Sequence, residues 1–370
     1  MFCFLYDLFY KAKIQSKELL FPILPKLFRF FCFFPFARGI FALAMKTRIL
    51  LYCFICCTAA FIASAQEQTG DQSDSGLLVM FWNLENFFSP SSEGEFSSTG
   101  SRHWTRKRFQ AKGRAVAKTV FWTKDIKGRF PDVIGFAETE NRTVLERLLS
   151  GTVLRKVGYS IVHYDSQDPR GIDVSLLYRK SSLVLLDSAP LRIAGIRTRD
   201  ILMAKFRKSD GDSIVFLVNH HPSKYGPDSG RKRAEALKRL REAVDSLMDK
   251  GLADVVAMGD FNDTPENPAF RTVASPPGES GPPLVNLAFP LARRGAGTIR
   301  YSGKWDMIDM FMVSRSLFER GGGSSMEILE VPFLTVRDNV HGGEKPFRTY
   351  SGPKYLGGVS DHRPILLWVR

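Results

Sequence analysis

Two polar residues, Asp260 and Asn262, directly follow an apolar run that stops at a glycine. The run over residues 255–259 is typical of a buried strand, which would deliver the acid and the amide to the edge of a sheet. Thr264-Pro265 then closes a tight turn, so the polar side chains stay together. Such oxygens could hold a hard divalent cation or merely serve the turn, and this stretch alone leaves both readings open.

The same arrangement, an apolar run with polar residues at its end, occurs at further places along the chain. The polar residues there are Asn83, Glu138, His220, Asp309, and Asp361 with His362. In layered α/β structures ligands bind outside the strand ends, so one rim of the molecule could gather the whole set. Each residue alone also has a structural explanation as a turn, a helix cap or a buried hydrogen-bond partner. Their recurrence at strand ends favours a common functional site.

The residue types in this set indicate its chemistry. The chain has no Gly-x-Gly-x-x-Gly or Walker loop, and no Ser-His-Asp order stands out. Carboxylates, amides and two histidines remain. Carboxylate and amide oxygens suit Mg²⁺ or Mn²⁺, and histidines that can pair with aspartates suit proton transfer and stabilisation of a charged phosphoryl group. The combination predicts metal-assisted phosphoester hydrolysis.

Strand and helix patterns provide the elements that must position these residues. Helical spacing covers residues 106–122, 141–149 and 231–250. Apolar or alternating runs predict strands over residues 77–82, 132–137, 159–163, 172–178, 183–186, 201–206, 213–218, 255–259, 307–313 and 364–369. The pattern shows neither internal repeats nor a second linker.

Six motifs built on the polar residues occur in a fixed order: Trp82-Asn83-Leu84-Glu85-Asn86, Ala137-Glu138-Thr139-Glu140-Asn141, Asn219-His220, Gly259-Asp260-Phe261-Asn262, Ile308-Asp309-Met310-Phe311 and Ser360-Asp361-His362. The series resembles that of the endonuclease/exonuclease/phosphatase superfamily, which includes deoxyribonuclease I and exonuclease III. The resemblance covers residues 77–370. It implies the α/β class and a four-layered α/β sandwich, with helices flanking two central mixed β-sheets and the site at one end.

The resemblance also implies roles for the polar residues. Glu138 matches the principal metal-binding glutamate of the family, Asn83 matches the asparagine beside it, and Asp361 matches a residue that helps to ligate the metal. Asp260 and Asn262 match the pair that positions or activates the nucleophilic water and holds the phosphate. The implied cofactor is Mg²⁺ or Mn²⁺.

Two histidines complete the implied catalytic set. His362 matches the catalytic histidine, and Asp309 matches the carboxylate that orients it. Asp306 competes for that role, but in the family the orienting aspartate is followed directly by an apolar strand. His220 matches the second histidine, which contacts phosphate or the leaving group in the deoxyribonuclease-like branch. Neighbouring His221 is disfavoured because in the family this histidine directly follows an asparagine.

Three more residues are candidates for substrate contact. Arg170 could contact phosphate, and Asp173 could pair with His220. Ser223 lies just after the second histidine motif. The alternative for Arg170 and Asp173 is a turn followed by a strand. Residues 104–108, which place Arg and Lys near an aromatic side chain, could line a substrate groove or form a solvated helix start.

The first 65 residues differ from the remainder. Residues 45–48 are short and basic, residues 49–62 are almost wholly apolar, and Ala63-Ser64-Ala65 is a small-residue cleavage pattern. This is the pattern of a secretory signal peptide, with an apolar core too short for a comfortable membrane span. Residues 1–44 are interpreted as an upstream extension from a misplaced start codon, with a membrane-associated leader as the alternative.

The chain therefore divides into the extension (1–44), the signal peptide (45–65), a flexible lead-in (66–76) and the catalytic domain (77–370). All five cysteines precede residue 66, so the mature chain would have no disulfide and no thiolate metal site. A lipid anchor on Cys56 or Cys57 is conceivable, although neither has a convincing leucine three residues upstream. The expected localisation is secreted or periplasmic, with cell-surface association as an alternative and no stable membrane span after processing.

Charge bears on the partner. The first 65 residues hold eight Lys/Arg and two Asp/Glu, so the remainder carries 44 basic and 36 acidic residues, a net charge of +8. This charge is compatible with a polyanionic or anionic-lipid substrate, and equally with an ordinary solvated surface. We predict a monomeric, secreted phosphodiesterase with nucleic acid as the first-choice substrate. The alternatives are a phosphatase or sphingomyelinase-like esterase on small or lipid phosphoesters, and an inactive binding protein that retains the fold.

Overall fold

The structure is a computed structural model that describes residues 76–90, 104–226, 228–320 and 324–369. They belong to one of the two units into which the chain divides, Ser73–Arg370. The predicted extension, the signal peptide and all but the last residue of the lead-in lie outside the described residues. Within the described ranges, no helix is long and apolar enough to cross a membrane.

The described residues form mostly strands, with helices between them. The first eight strands are β1 (Leu77–Phe87), β2 (Val133–Thr139), β3 (Tyr159–His163), β4 (Asp173–Arg179), β5 (Leu183–Leu191), β6 (Ile201–Lys208), β7 (Ser213–His220) and β8 (Val255–Asp260). The later strands are β9 (Ala274–Ser275), β10 (Leu284–Asn286), β11 (Ile299–Tyr301), β12 (Lys304–Asp306), β13 (Asp309–Ser314), β14 (Met326–Ile328), β15 (Thr335–Arg337), β16 (Glu344–Pro346), β17 (Tyr350–Ser351), β18 (Lys354–Tyr355) and β19 (Ile365–Val369). The α-helices are α1 (Arg106–Lys127), α2 (Arg142–Gly151), α3 (Ser229–Asp249), α4 (Phe289–Ala292) and α5 (Arg315–Arg320).

Two large mixed sheets contain the strands that carry the predicted site. The six-stranded sheet has the order β14-β19-β1-β2-β4-β3, and the seven-stranded sheet has the order β5-β6-β7-β8-β13-β10-β9. Near the middle of each sheet is a parallel pair, β1 with β2 and β7 with β8. Because parallel strands end at the same edge of a sheet, each pair presents the residues at its carboxyl ends side by side.

Alternation along β1 shows how the layers pack. Val79 and Phe81 belong to an apolar core that also contains residues of the seven-stranded sheet and of α3. Leu78, Met80 and Trp82 point to the other face and pack in a second core with α1 and α2. Both faces of β1 are therefore buried, and each fully buried large apolar side chain contributes about 1.5–3 kcal/mol. Helices outside two facing sheets confirm the predicted four-layered α/β sandwich.

β1 is longer than the sequence predicts. Its apolar pattern predicts an end at Trp82, whereas the strand continues to Phe87, with a shift in its register against β2 between Asn83 and Phe87. A bulge of this kind bends a strand and redirects its side chains. The prediction missed it because polar residues replace the apolar pattern at that point. Helix α1 is also longer than predicted and ends before Gly128, which has a φ of 76°.

Candidate active site

The ends of three neighbouring strands bring predicted site residues together. Asp260, the last residue of β8, lies opposite His220 of β7 and opposite Asp309, the first residue of β13. All three residues are buried. Gly259 permits this arrangement, because a Cβ at that position would lie 2.2 Å from the backbone oxygen of Asn219 in β7. The glycine before Asp260 therefore allows the two backbones to approach closely at this edge.

Asp260 lies at the centre of the cluster. Its Oδ1 accepts the backbone N–H of Asn262 at 2.9 Å, and its Oδ2 accepts Nδ2 of Asn83 at 3.0 Å. Nε2 of His220 lies 3.6 Å from Oδ2 of Asp260, and Nε2 of His362 lies 3.8 Å from the same atom. Two imidazoles therefore face one carboxylate, one from β7 and one from the segment just before β19.

His362 is held by a buried acid. Its Nδ1 lies 2.7 Å from Oδ2 of Asp309, and its backbone N–H donates to the hydroxyl of Ser360 at 3.0 Å. Burial lowers the pKa of His362, but Asp309 and then Asp260 raise it more, so that it lies well above its usual value. The imidazole is therefore protonated near neutral pH, with one nitrogen on Asp309 and the other directed towards Asp260.

The pKa of His220 shifts in the opposite direction. Burial, followed by the positive charges of Arg199 and Arg170, holds the pKa of His220 well below its usual value. Its Nε2 lies 3.8 Å from Oε1 of Glu138, in addition to its approach to Asp260. The pKa values of the two histidines that face Asp260 are therefore shifted in opposite directions.

The pKa of Asp260 is also displaced. Burial raises it to about 7, with His362 lowering it, Asp309 raising it further and hydrogen bonds from Asn262 and Asn83 lowering it. A carboxylate with a pKa near the working pH can take a proton from a bound water molecule. Titratable groups whose environments push their pKa values apart are the usual mark of an acid and base pair.

Oxygen atoms suited to a hard cation lie beside this cluster. Oε2 of Glu138 accepts the backbone N–H of Asn86 at 2.8 Å. Oδ1 of Asn83 accepts the backbone N–H of Glu85 at 2.9 Å. Oδ1 of Asp361 lies 4.0 Å from Nε2 of His362. Asn83, Glu138 and Asp361 offer amide and carboxylate oxygens without thiolates, the donor set that Mg²⁺ and Mn²⁺ prefer.

Glu85 is a carboxylate to which the sequence assigned no role. Burial and then the neighbouring Asp361 raise its pKa to about 7. Burial lowers the pKa of Lys112 to about 8, although Glu85, Glu138 and Asp361 each raise it. The carboxylates of Glu85, Glu138 and Asp361 therefore all influence the buried ammonium group of Lys112. Asp361 also raises the pKa of Glu85 by repulsion between their negative charges. Such a concentration of acids fits a divalent cation. The sequence feature that could have identified Glu85 is its position inside the motif over residues 82–86.

The described residues also contain an acidic cluster made by Asp260, Asp309 and His362, whose ligand atoms lie within 4.8 Å of one another. Because Nδ1 of His362 is already bound to Asp309, this cluster is better suited to proton transfer than to holding a metal ion.

Backbone strain is concentrated at the same place. Among the described residues, positive φ angles outside glycine include 47° at Glu85, 57° at Asn86, 60° at Glu138 and 51° at Asn262. Asparagine tolerates this region, but a glutamate there is unfavourable. Strained residues persist where the surrounding structure fixes them, which is common at active sites. Here the strain aims the end of β1 and Glu138 into the cluster.

Arg170 reaches the cluster from the loop between β3 and β4. Its guanidinium donates to Oδ1 of Asn86 at 2.9 Å and lies 3.5 Å from Oε1 of Glu138. The expected pairing of Asp173 with His220 is not found. Instead, Oδ2 of Asp173 lies 3.3 Å from Nε2 of His163, because β3 and β4 are neighbours in the sheet.

Ser223, like Asp173, has its contacts outside the cluster. Its hydroxyl accepts the backbone N–H of Tyr225 at 3.3 Å, and its carbonyl accepts a guanidinium N–H of Arg233 at 3.2 Å. Among the described residues, these contacts tie it to its own loop and to α3. A role in substrate contact therefore stays a prediction.

A buried ion pair that the sequence analysis missed supports the Arg170 loop. Arg199 lies 2.9 Å from Oδ2 of Asp168, whose Oδ1 accepts the backbone N–H of Arg170 at 2.9 Å. Arg199 also donates to the carbonyl of His221 at 2.6 Å, and Nδ2 of Asn262 donates to that carbonyl at 3.0 Å. One guanidinium therefore connects the Arg170 loop with the Asp260 loop. These partners are far apart in the sequence, so no local pattern indicated them.

Two packed mixed sheets with acids, amides and histidines converging at one end define a phosphoesterase-type hydrolase. The model of the Endonuclease/Exonuclease/phosphatase family matches residues 78–370, and the chain belongs to this family. Members of this family are divalent-metal-dependent hydrolases that act on phosphoesters. A comparison with curated protein sequences gave no match.

Solved structures of the same fold are similar to this chain over 80% of its length. They include TDP2 from D. rerio complexed with single-strand DNA product (14% identity, 100% of that chain, TM-score 0.51). A mannosyl-6-phosphatase from Bacteroides thetaiotaomicron gives 16% identity over 100% of that chain with a TM-score of 0.51. The human nocturnin catalytic domain with bound sulfate gives 13% identity over 94% of that chain with a TM-score of 0.51. At these identities the likeness establishes the fold.

Proposed function

We propose that the protein is a secreted, divalent-metal-dependent phosphodiesterase that acts on nucleic acid. The observation that carries the proposal is the buried carboxylate of Asp260, whose Oδ2 lies 3.6 Å from Nε2 of His220 and 3.8 Å from Nε2 of His362. The pKa of His362 is raised and that of His220 is lowered, which favours a protonated and a neutral imidazole respectively. This arrangement offers a base for water and a cationic donor for phosphate oxygens at one point. Hydrolysis of a phosphoester needs both.

Asp260 and Asn262 would prepare the nucleophile. Asp260 has a pKa of about 7, so near neutral pH a useful fraction is ionised and able to accept a proton from water. Its Oδ1 is fixed by the backbone N–H of Asn262, which leaves Oδ2 directed at the two histidines. The positive φ of Asn262 places its side chain at the same loop, where the amide can contact phosphate.

The two histidines would serve the phosphoryl group and the leaving oxygen. Protonated His362 can donate from Nε2 to an oxygen that gains negative charge, while Asp309 holds its Nδ1 and stabilises the cation. Neutral His220, whose Nε2 lies 3.6 Å from Oδ2 of Asp260, can accept or donate one hydrogen bond at the same point. Arg170, half exposed and beside Glu138, can contact a phosphate oxygen from the rim.

Asn83, Glu138 and Asp361 would hold the cation, and Mg²⁺ or Mn²⁺ fits their oxygen atoms. When bound, the cation supplies neutralisation of phosphate charge. Glu85 lies two residues after Asn83 in β1 and accepts the backbone N–H of Thr349 at 2.7 Å. Ser360 donates to the carbonyl of Asn83 at 2.6 Å, which ties β1 to the Asp361 segment. These contacts would fix the ligands before a cation binds.

Nucleic acid is favoured as substrate by charge and by an exposed aromatic side chain. The chain after residue 65 has a net charge of +8. The β11–β12 hairpin lies against the site, since Ile299 pairs with His362, and it presents Tyr301 with 68% of its surface exposed. Lys304, which is exposed, pairs with that tyrosine across the hairpin. Exposed aromatic and cationic side chains beside a phosphate site suit base stacking and backbone contact. The relative that carries single-strand DNA product supports the same choice.

A phosphatase acting on a small phosphoester is the second candidate, supported by the structural likeness to a mannosyl-6-phosphatase. An inactive binding protein is disfavoured, because burying Asp260, Asp309 and His362 together costs free energy that a binding scaffold has no need to spend. Secretion is inferred from the signal-peptide pattern over residues 45–65.

A substrate panel tests the proposal. Purified protein would be incubated with duplex DNA, RNA, a synthetic phosphodiester and a phosphomonoester, each with Mg²⁺, Mn²⁺ or EDTA. EDTA-sensitive cleavage of DNA or RNA is the expected result. Turnover of the monoester alone would support the phosphatase candidate, and the absence of any turnover with metal bound would contradict both.

A further inference from the structure

A second group of potential metal ligands lies apart from the catalytic cluster. His163 ends β3, Asp173 begins β4, and Asp165 follows His163 in the loop between them. One ligand atom from each residue lies within 4.8 Å of the others. Because β3 and β4 are antiparallel neighbours, with His163 opposite Ser175, the sheet holds the three side chains at one edge. These three residues are separate from Asn83, Glu138 and Asp361, which are proposed to hold the catalytic cation.

His163 has a buried nitrogen without a hydrogen-bond partner. Only 2% of its side chain is exposed, and its Nε2 makes no hydrogen bond, although Oδ2 of Asp173 lies 3.3 Å away. A buried polar atom left in this state is costly. Two ligand atoms that share one cation at about 2.1 Å each, at angles near 90–110°, lie about 3.0–3.4 Å apart. The observed separation of nitrogen and oxygen therefore fits a shared cation better than a hydrogen bond.

The two candidate carboxylates have no basic side chain bound to them. Within the part of the chain that the structure describes, neither Asp165 nor Asp173 forms an ion pair with lysine or arginine. Oδ1 of Asp165 lies 3.9 Å from Nδ1 of His163, and Oδ2 of Asp173 lies 3.3 Å from Nε2 of the same imidazole. A cavity of about 10 Å³ adjoins Asp173 and is also lined by Tyr164, Ser166 and Asp200. A space of that size is at the lower limit for one water molecule, which could complete a coordination shell.

We infer that His163, Asp165 and Asp173 form a second divalent-cation site, distinct from the one proposed at Asn83 and Glu138. One imidazole nitrogen with two carboxylates suits a cation that accepts nitrogen as well as oxygen, such as Zn²⁺ or Mn²⁺. Mg²⁺ strongly prefers oxygen ligands, so it is the poorer occupant of this site. The two sites therefore differ in the metal they select.

The cation would brace the loop that carries Arg170. Asp165 and Asp173 lie at the two ends of that loop, and Oδ1 of Asp173 already accepts the backbone N–H of Ser166 at 2.9 Å. Arg170, between them, donates to Asn86 beside the catalytic cluster. A bound ion would close the base of the loop and restrict the positions open to Arg170. Only this consequence rests on the proposed function; the binding site itself does not.

Zn²⁺ titration by isothermal calorimetry in excess Mg²⁺ tests the site. The decisive variant is Asp165→Asn, because the side chain of Asp165 is 84% exposed and its replacement should leave the fold intact, which thermal unfolding checks. We expect this variant to bind Zn²⁺ at least about tenfold more weakly than the wild-type protein. His163→Gln should lose the same binding step, with its folding checked by thermal unfolding.

Two further variants serve as controls. Asp212→Asn removes an equally simple charge from a side chain that is 70% exposed in another loop, and should leave Zn²⁺ binding unchanged. His362→Ala removes an imidazole of the catalytic cluster and should also retain this binding step. Unchanged Zn²⁺ affinity in Asp165→Asn, or loss of binding only in His362→Ala, would overturn the proposal. Because binding is measured without turnover, either result is independent of whether the protein hydrolyses the proposed substrate.

Discussion

Replacing Asp309 by asparagine tests the catalytic dyad with little change in shape. Asp309 is buried at the start of β13, and its Oδ2 lies 2.7 Å from Nδ1 of His362. Asparagine has nearly the same volume but no negative charge, so β13 and its register with β8 should remain. The substitution removes the largest favourable influence on the pKa of His362, which would then fall. The imidazole would be less readily protonated and would lose the carboxylate that fixes its orientation.

The size of the effect follows from the burial of the pair. Removing one partner of a buried charged pair costs about 3–5 kcal/mol, because the other group is left uncompensated. If that loss is expressed in the transition state, it corresponds to a fall of about 10²- to 10⁴-fold in kcat/KM. Asparagine in place of the orienting aspartate of a serine-protease triad has an effect at the upper end of this range.

The assay is steady-state hydrolysis of a synthetic phosphodiester with saturating Mg²⁺, alongside thermal unfolding of each protein. Asp306→Asn is the matched control. Asp306 ends β12, the strand that precedes β13 along the chain; it is half-buried and was the competing candidate from the sequence. We expect that control to change kcat/KM by less than about threefold, as for substitutions away from special features. A loss below tenfold in Asp309→Asn, or an equal loss in Asp306→Asn, would refute the assigned dyad.

Three further predictions concern His220, Arg170 and His221. His220→Ala should slow hydrolysis about 10²-fold or more while the affinity for Mn²⁺, followed by titration, stays nearly unchanged; an equal loss of metal affinity would show that its role is misassigned. Arg170→Ala should raise KM about tenfold or more through loss of a charge-assisted phosphate contact, and Arg170→Lys should recover only part of it; an unchanged KM would exclude the contact. His221 is buried, and its pKa is lowered from 6.5 to about 3. The stability that its neutral form contributes is complete above the unfolded pKa and is lost as pH falls from 6.5 towards 3. The unfolding free energy should therefore fall between about pH 7.5 and pH 5 by about 2 kcal/mol less in His221→Leu than in the wild-type protein. An equal fall in the two proteins would contradict this assignment.

The sequence was informative wherever an apolar run delivered a polar residue to a strand end. Asp260, His220 and Asp309 were predictable in this way, because each lies at the boundary of a strand with strong local pattern. The order of the motifs then indicated the family and its sandwich fold. Strands of two or three residues, such as β9 and β17, were not predictable, because periodicity needs a longer segment.

Long-range partners were beyond the reach of local pattern. Asp173 was expected to pair with His220, whereas the neighbouring strand places His163 beside it. Arg199 and Glu85 act through contacts with residues far away in the chain. Nothing near Arg199 in the sequence indicates that role, and Glu85 has only its position inside the motif over residues 82–86. The continuation of β1 past Trp82 depends on strained residues that the fold imposes on a polar segment. These features arise from packing, and only the folded chain reveals them.

The most direct test of the proposed metal-dependent hydrolysis is the rate of DNA cleavage by wild-type protein and by Glu138→Ala, each measured with Mg²⁺ and with EDTA. Glu138 lies beside both His220 and Arg170 and supplies the principal oxygen ligand proposed for the cation. We expect cleavage by the wild-type protein that EDTA abolishes, and no cleavage by the folded variant. Cleavage that survives EDTA, or near-normal cleavage by Glu138→Ala, would contradict it.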